Sequence, residues 1–260
     1  MEEVERKILG LFIDNSNRPK KTPRHESLIL ILLEKEYSAG KIQNSLKHLE
    51  ELRTISSIKK EIRDVGEARF FFATKLDSEF IQNKIPRKIN TAAGLIAKYS
   101  DIKITKMLGE HLHSLVKYEL RSHGFAIIDE NTRTYSGRIW NKTRHTLDII
   151  AKHKEKNLEI GVEIKNTLTL PPKSEITTKI NMCKELGVKP LFACRWLDPY
   201  KNDIEMNGGF VWQFYDQIYP LGHDKFVQEI RKRFQLPIRI ASELPTTSVL
   251  DFEKWLTKFV

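Results

Sequence analysis

The chain is poor in cysteine. Its 260 residues include two, Cys183 and Cys194, with no Cys-x-x-Cys spacing. That excludes a disulfide framework, signals no zinc centre and suits a reducing cytoplasm. Long hydrophobic runs are also missing: the longest, Leu28 to Leu33, falls far short of the ~20 residues of a membrane-spanning helix. The opening residues, Met1-Glu2-Glu3-Val4-Glu5-Arg6-Lys7, lack the form of a signal peptide. No internal repeat and no low-complexity tract stand out. The expectation is a cytoplasmic protein with no membrane association. What is present is a globular composition, 40% hydrophobic and 30% charged, with a length that suits about two domains. Lysine and arginine outnumber the acids, 44 to 34, for a net charge of +10. Such a balance favours polyanionic partners, because Lys and Arg displace the counterions condensed on phosphates.

Residues 3 to 14 carry Val4, Ile8, Leu9, Leu11 and Phe12 at helical spacing. Pro19 and Pro23 then break any helix, leaving Arg18, Lys20, Lys21 and Arg24 on a loop. A second helix is expected from Glu26 to Glu36. Ser38 is placed to cap a third, Ala39 to Leu52, with Ile42, Leu46, Leu49 and Leu52 on one face. The pattern then turns to strands, Ile55 to Ile62 and Ala68 to Ala73, around a turn at Asp64 to Glu67. Three helices followed by a β-hairpin resemble a winged helix-turn-helix domain over residues 1–75. The resemblance implies DNA contact, with Lys41, Asn44, Lys47 and His48 facing the groove and Lys59, Lys60 and Arg63 the phosphates. Winged helices also serve as protein–protein modules, so that use stays open. Residues 76–104 read as a connector interrupted by Pro86-Arg87-Lys88, with a short helix from Ile89 to Tyr99.

From residue 105 onward the expected order is helix, three strands, helix, strand. Met107 to His123 is the first helix, closed by Gly124, and Phe125 to Ile128 the first strand. Thr146 to Ala151 and Leu158 to Lys165 follow, then a helix from Thr177 to Leu186 and a buried strand from Pro190 to Cys194. By the period-2 rule Leu158, Ile160, Val162 and Ile164 share one strand face, while Glu159, Gly161, Glu163 and Lys165 share the other. Asp148 sits in the apolar run Thr-Leu-Asp-Ile-Ile-Ala and points opposite to Leu147 and Ile149. A buried carboxylate without a partner is costly, and a cation shared with Glu163 would offset that cost. Two carboxylates on adjacent strands suit a hard, oxygen-seeking ion such as Mg²⁺. A lysine two residues on suits charge developing on phosphorus.

This order, with Asp148, Glu163, Ile164 and Lys165 over residues 106–196, resembles the PD-(D/E)XK nuclease superfamily; Leu147 replaces the proline of the name motif. The resemblance implies an α/β core of restriction-endonuclease type, a mixed sheet flanked by helices. It also implies Mg²⁺-dependent phosphodiester hydrolysis, with Mn²⁺ as a substitute, and a 5′-phosphate product. Asp148, Glu163 and Lys165 are then catalytic. The family often adds a donor from the helix before the core. Glu110 fits by its oxygen ligand, and His113 by its Gly-x-x-x-His spacing from Gly109. The expected function is a DNA endonuclease; the alternatives are a DNA-binding regulator or complex subunit with a non-cleaving nuclease-like scaffold, and an RNA-processing enzyme. Trp140, Trp196 and Trp212 suit core packing better than base stacking. The remaining segment, 197–260, completes the core or forms a dimer surface, which leaves a homodimer open.

Overall fold

The computed structural model describes residues 1–259 and divides the chain into two compact units. One joins Met1–Thr105 with Gln228–Leu236; the other joins Lys106–Val227 with the segment from Pro237 onward. Residues 76–104, read above as a connector, thus belong to the first unit. The short stretch 228–236, read as part of the second domain, belongs there too.

In the first unit, α1 (Glu3–Phe12), α2 (Glu26–Leu33) and α3 (Ala39–Glu51) close over a core of Val4, Ile8, Phe12, Ile29, Ile42, Leu46 and Leu49. Ser38 caps α3, its Oγ accepting from the Lys41 amide at 3.4 Å. Leu52 does not join the core: it lies past the helix end and is 57% exposed. A two-residue strand too short to stand out in sequence, β1 (Arg24–His25), adds to the hairpin of β2 (Ile55–Ile62) and β3 (Gly66–Ala73), giving the order β1-β3-β2. Two helices follow, α4 (Ser78–Asn83) and α5 (Ile85–Tyr99). Pro86 does not interrupt the second of these. It sits in the first turn of α5, where its missing N–H would have had no partner in any case.

The second unit is built on α6 (Ile102–Ser122), a helix that begins before the unit boundary. Next come β4 (Phe125–Thr132), the small hairpin β5 (Thr134–Tyr135) and β6 (Arg138–Ile139), then β7 (Leu147–His153) and β8 (Glu159–Lys165). After these come α7 (Lys173–Leu186), β9 (Lys189–Cys194), α8 (Lys201–Met206) and β10 (Phe210–Gln213). The chain ends with β11 (Gln217–Tyr219), α9 (Asp224–Phe234), β12 (Ile238–Ile240) and α10 (Thr246–Leu256). The fold class is mixed α/β: a five-stranded sheet, β10-β9-β8-β7-β4, with β4, β7 and β8 antiparallel and β8, β9 and β10 parallel.

Both faces of this sheet are covered. Ile149, Ile160, Val162, Leu191 and Trp212 pack with residues of α6 and α10, while Ile150 packs with Met182, Cys183 and Leu186 of α7. Leu147 belongs to the α7 side with Ile150, not beside Ile149 as strict alternation predicts. The β7–β8 ladder starts only at Ile149, so Leu147 is outside that ladder. Trp140, Trp196 and Trp212 are all buried, which leaves no ring face free for a base.

Candidate active site

The site grows from the register of three neighbouring strands. Ile149 pairs with Val162, so Asp148 and Glu163 come next, at the open end of the β7–β8 ladder. Asp148 does not turn away: its Oδ2 accepts from the Ile164 amide at 2.6 Å. That bond ties the carboxylate of one strand to the backbone of the next.

Glu163 is 3% exposed. Burial pushes its carboxyl above the ordinary value, the Asp148 charge adds to this, and Lys179 and Lys165 oppose it. Each oxygen has an ammonium partner. Lys165 Nζ stands 3.2 Å from Oε1, and Lys179 donates to Oε2 and to the Thr146 carbonyl. Lys165 is held from its other side by Glu175, at 2.8 Å. Burial pulls the Lys165 ammonium down, but the hydrogen bond and charge of Glu175, with the charge of Glu163, outweigh it and raise the group above its usual value.

The two α7 residues reach this place by a match of spacings. Glu175, Lys179 and Cys183 recur every four residues along one helix face, about 6 Å per step. Lys165, Glu163 and Gly161 recur every two residues along one strand face, about 6.6 Å per step. Glu175 therefore meets Lys165, Lys179 meets Glu163, and Cys183 meets Gly161. The last contact requires glycine, since a Cβ at Gly161 would stand 2.6 Å from Leu147 Cδ1 and 2.9 Å from Cys183 Sγ. The close approach of helix to strand at Gly161 is what lets Lys179 reach the buried carboxylate. Burial also pushes the Cys183 thiol up to about 12, which keeps it protonated and inert.

One residue past Lys165, Asn166 is buried and clamps the end of β8. Its Nδ2 donates to the Leu108 and Ile218 carbonyls, and its Oδ1 accepts from the Ile218 amide at 2.9 Å. This clamp fixes the backbone from which Lys165 projects.

Glu110 and His113 lie elsewhere on α6. Glu110 is exposed, 3.7 Å from Lys106, and His113 faces Glu130 at 3.8 Å. Among the described residues no group of three or more His, Cys, Asp or Glu side chains is arranged to hold a metal, so neither joins Asp148 and Glu163 as a third donor. The hard oxygen donors at the strand end are the carboxylates of Asp148 and Glu163, with Glu175 paired to Lys165. Magnesium fits such a set, since it keeps several waters and is held through one or two carboxylates plus substrate oxygens.

In the first unit the residues expected to face nucleic acid are mostly paired with acids. Lys41 lies 3.9 Å from Glu2, Lys47 3.9 Å from Glu51, His48 2.5 Å from Glu5, Lys59 2.8 Å from Glu67 and Arg63 3.5 Å from Asp64. Asn44 is exposed and Lys60 half-buried.

Sequence reasoning missed Glu175, Asn166 and the role of Lys179. The α7 helix was expected to begin at Thr177, which left Glu175 outside it. In the sequence Lys179 is one of several basic residues beside the core, such as Lys173, that could hold a nucleic-acid backbone, and nothing there marks it as the partner of Glu163. An i, i+4 acid–lysine pair set against an acid-x-lysine strand is the signal that joins them. Comparison with protein-family models, curated proteins and solved structures gives no match.

Proposed function

We propose that this chain is a divalent-metal-dependent DNA endonuclease of PD-(D/E)XK type, with Asp148, Glu163 and Lys165 as its catalytic residues. The observation that carries the reading is the gathering of these three groups at one open strand end, beside two more charged residues of α7. Three carboxylates and two ammonium groups leave that cluster a formal charge of −1. A divalent cation would bring it to +1, complementary to a phosphodiester.

Asp148 and Glu163 would hold Mg²⁺, or Mn²⁺ in its place. When bound, the ion supplies Lewis-acid polarisation of the phosphoryl oxygens and a lowered pKa for its water. Lys165 neutralises charge that develops on the phosphoryl group, in a position set by Glu175. Lys179 balances the buried charge of Glu163. The first unit would act as a winged helix-turn-helix that holds duplex DNA. One chain offers one such centre, so a double-strand break takes two chains or two events.

The test is cleavage of plasmid and linear duplex with Mg²⁺ or Mn²⁺. Asp148→Asn and Glu163→Gln are expected to abolish it; activity that survives either change overturns the assignment. A second reading, a DNA-binding regulator with a non-cleaving core, is favoured by one observation: both Glu163 oxygens already have ammonium partners. Titration calorimetry with Mn²⁺ separates the two, because the regulator takes up no ion at this place.

A further inference from the structure

We infer that the first unit grips duplex DNA by its phosphates through a basic face formed by the loop before β1, by α5 and by the end of α9, rather than chiefly through α3. The inference rests on the reading of the chain as a DNA-cutting protein and names the surface that does the holding. Lys88 of α5 and Lys232 and Arg233 of α9 line one recess of about 410 Å³, into which a single acid, Glu229, also faces. On the same face the ammonium groups of Lys21 and Lys88 lie 5.4 and 5.9 Å from the centre of one ring, Phe80. Two like charges are thus drawn to one aromatic ring. Arg24 ties the loop to the end of α9 by donating to Gln235 Oε1 at 3.1 Å.

The contrast with α3 and the β2–β3 hairpin decides the assignment. There, five of the basic side chains each have a carboxylate within 4 Å. Among the described residues, Lys21, Lys88, Lys232 and Arg233 have no acidic partner at ion-pair distance. Cations gathered without paired acids repel one another, and an anion laid across them relieves the repulsion. Lys21, Lys232 and Arg233 are exposed and, with the half-buried Lys88, spread over three chain segments, so an extended polyanion fits them better than a small phosphate held in a pocket. Ammonium and guanidinium groups that contact phosphates release condensed counterions, which makes the ionic-strength dependence of binding the natural readout.

The experiment measures binding of full-length protein to a short duplex in EDTA over a range of salt concentrations. Each phosphate contact contributes about −0.9 to the slope of log affinity against log salt. The double variant Lys88→Gln/Arg233→Gln is expected to lessen the slope by about 2 and to weaken binding about tenfold or more near 0.1 M salt. Lys41→Gln/Lys47→Gln is expected to change it less. Should the first pair prove unfolded by circular dichroism, Lys21→Gln/Lys232→Gln, both exposed, takes its place. An unmoved slope, a larger loss from the α3 pair, or a loss seen only with vesicles of anionic phospholipid overturns the inference. Because EDTA removes cleavage from the assay, the two readings fail separately. Binding by this face without any cleavage sinks the nuclease; cleavage with an unmoved slope sinks the face.

Discussion

Glu175 holds Lys165 at 2.8 Å, joining the first turn of α7 to the last residue of β8. The pair is partly solvated, so its worth to stability is small, about 0.5 kcal/mol. Its worth to the proposed chemistry is positional. Glu175→Gln is expected to leave the melting temperature nearly unchanged and to lower kcat by about ten- to a hundredfold with little change in KM. Single-turnover cleavage checks this; a full-rate Glu175→Gln would show that Lys165 needs no such anchor.

Glu163 and Lys179 are both nearly sealed from water, at 3% and 6% side-chain exposure. Removing one partner strands the other's charge. Glu163→Gln and Lys179→Met are each expected to destabilise by about 3 kcal/mol, and the double variant by clearly less than their sum. Urea unfolding of the three variants measures the coupling, and simple additivity would mean the two groups do not depend on each other.

Gly161→Ala is expected to cost about 2 kcal/mol, because the new methyl group meets Leu147, Cys183 and Val188 inside 3 Å and α7 has to move outward. If α7 shifts, Lys179 retreats from Glu163, so on the proposed metal-dependent reading ion uptake should change alongside the melting temperature. An unaltered melting temperature would contradict the close helix–strand approach.

In the first unit, the hydrogen bond from His48 holds the Glu5 carboxyl below its ordinary value of 4.5; burial opposes this, and the Glu2 backbone assists it. The folded chain therefore binds this proton less readily than the unfolded chain. The stability Glu5 contributes is complete above about 4.5 and is lost as pH falls through its depressed folded value. Glu5→Gln should thus show its full deficit above about pH 4.5 and converge with the parent protein as the pH falls below the depressed folded value, in urea midpoints taken across that range. A deficit that grows toward acid would reverse the sign and refute the assignment.

Local pattern by itself determined the α/β class, the order of the main helices and strands from α6 to β9 without the small β5–β6 hairpin, and the shared face of Glu163 and Lys165. Those features follow from periods of 3.6 and 2 that each segment carries within itself. The same periods could not show that Leu147 leaves its expected face, nor that Pro86 opens a helix, because both depend on where a ladder or a helix begins. Least legible was the company of Glu163. Lys173, Lys179 and Lys184 look alike along α7, and only the approach of that helix to β8 over Gly161 brings one of them into the sheet. Tertiary packing alone chose Lys179, because a buried charge takes its partner from whichever side chain the fold delivers within reach.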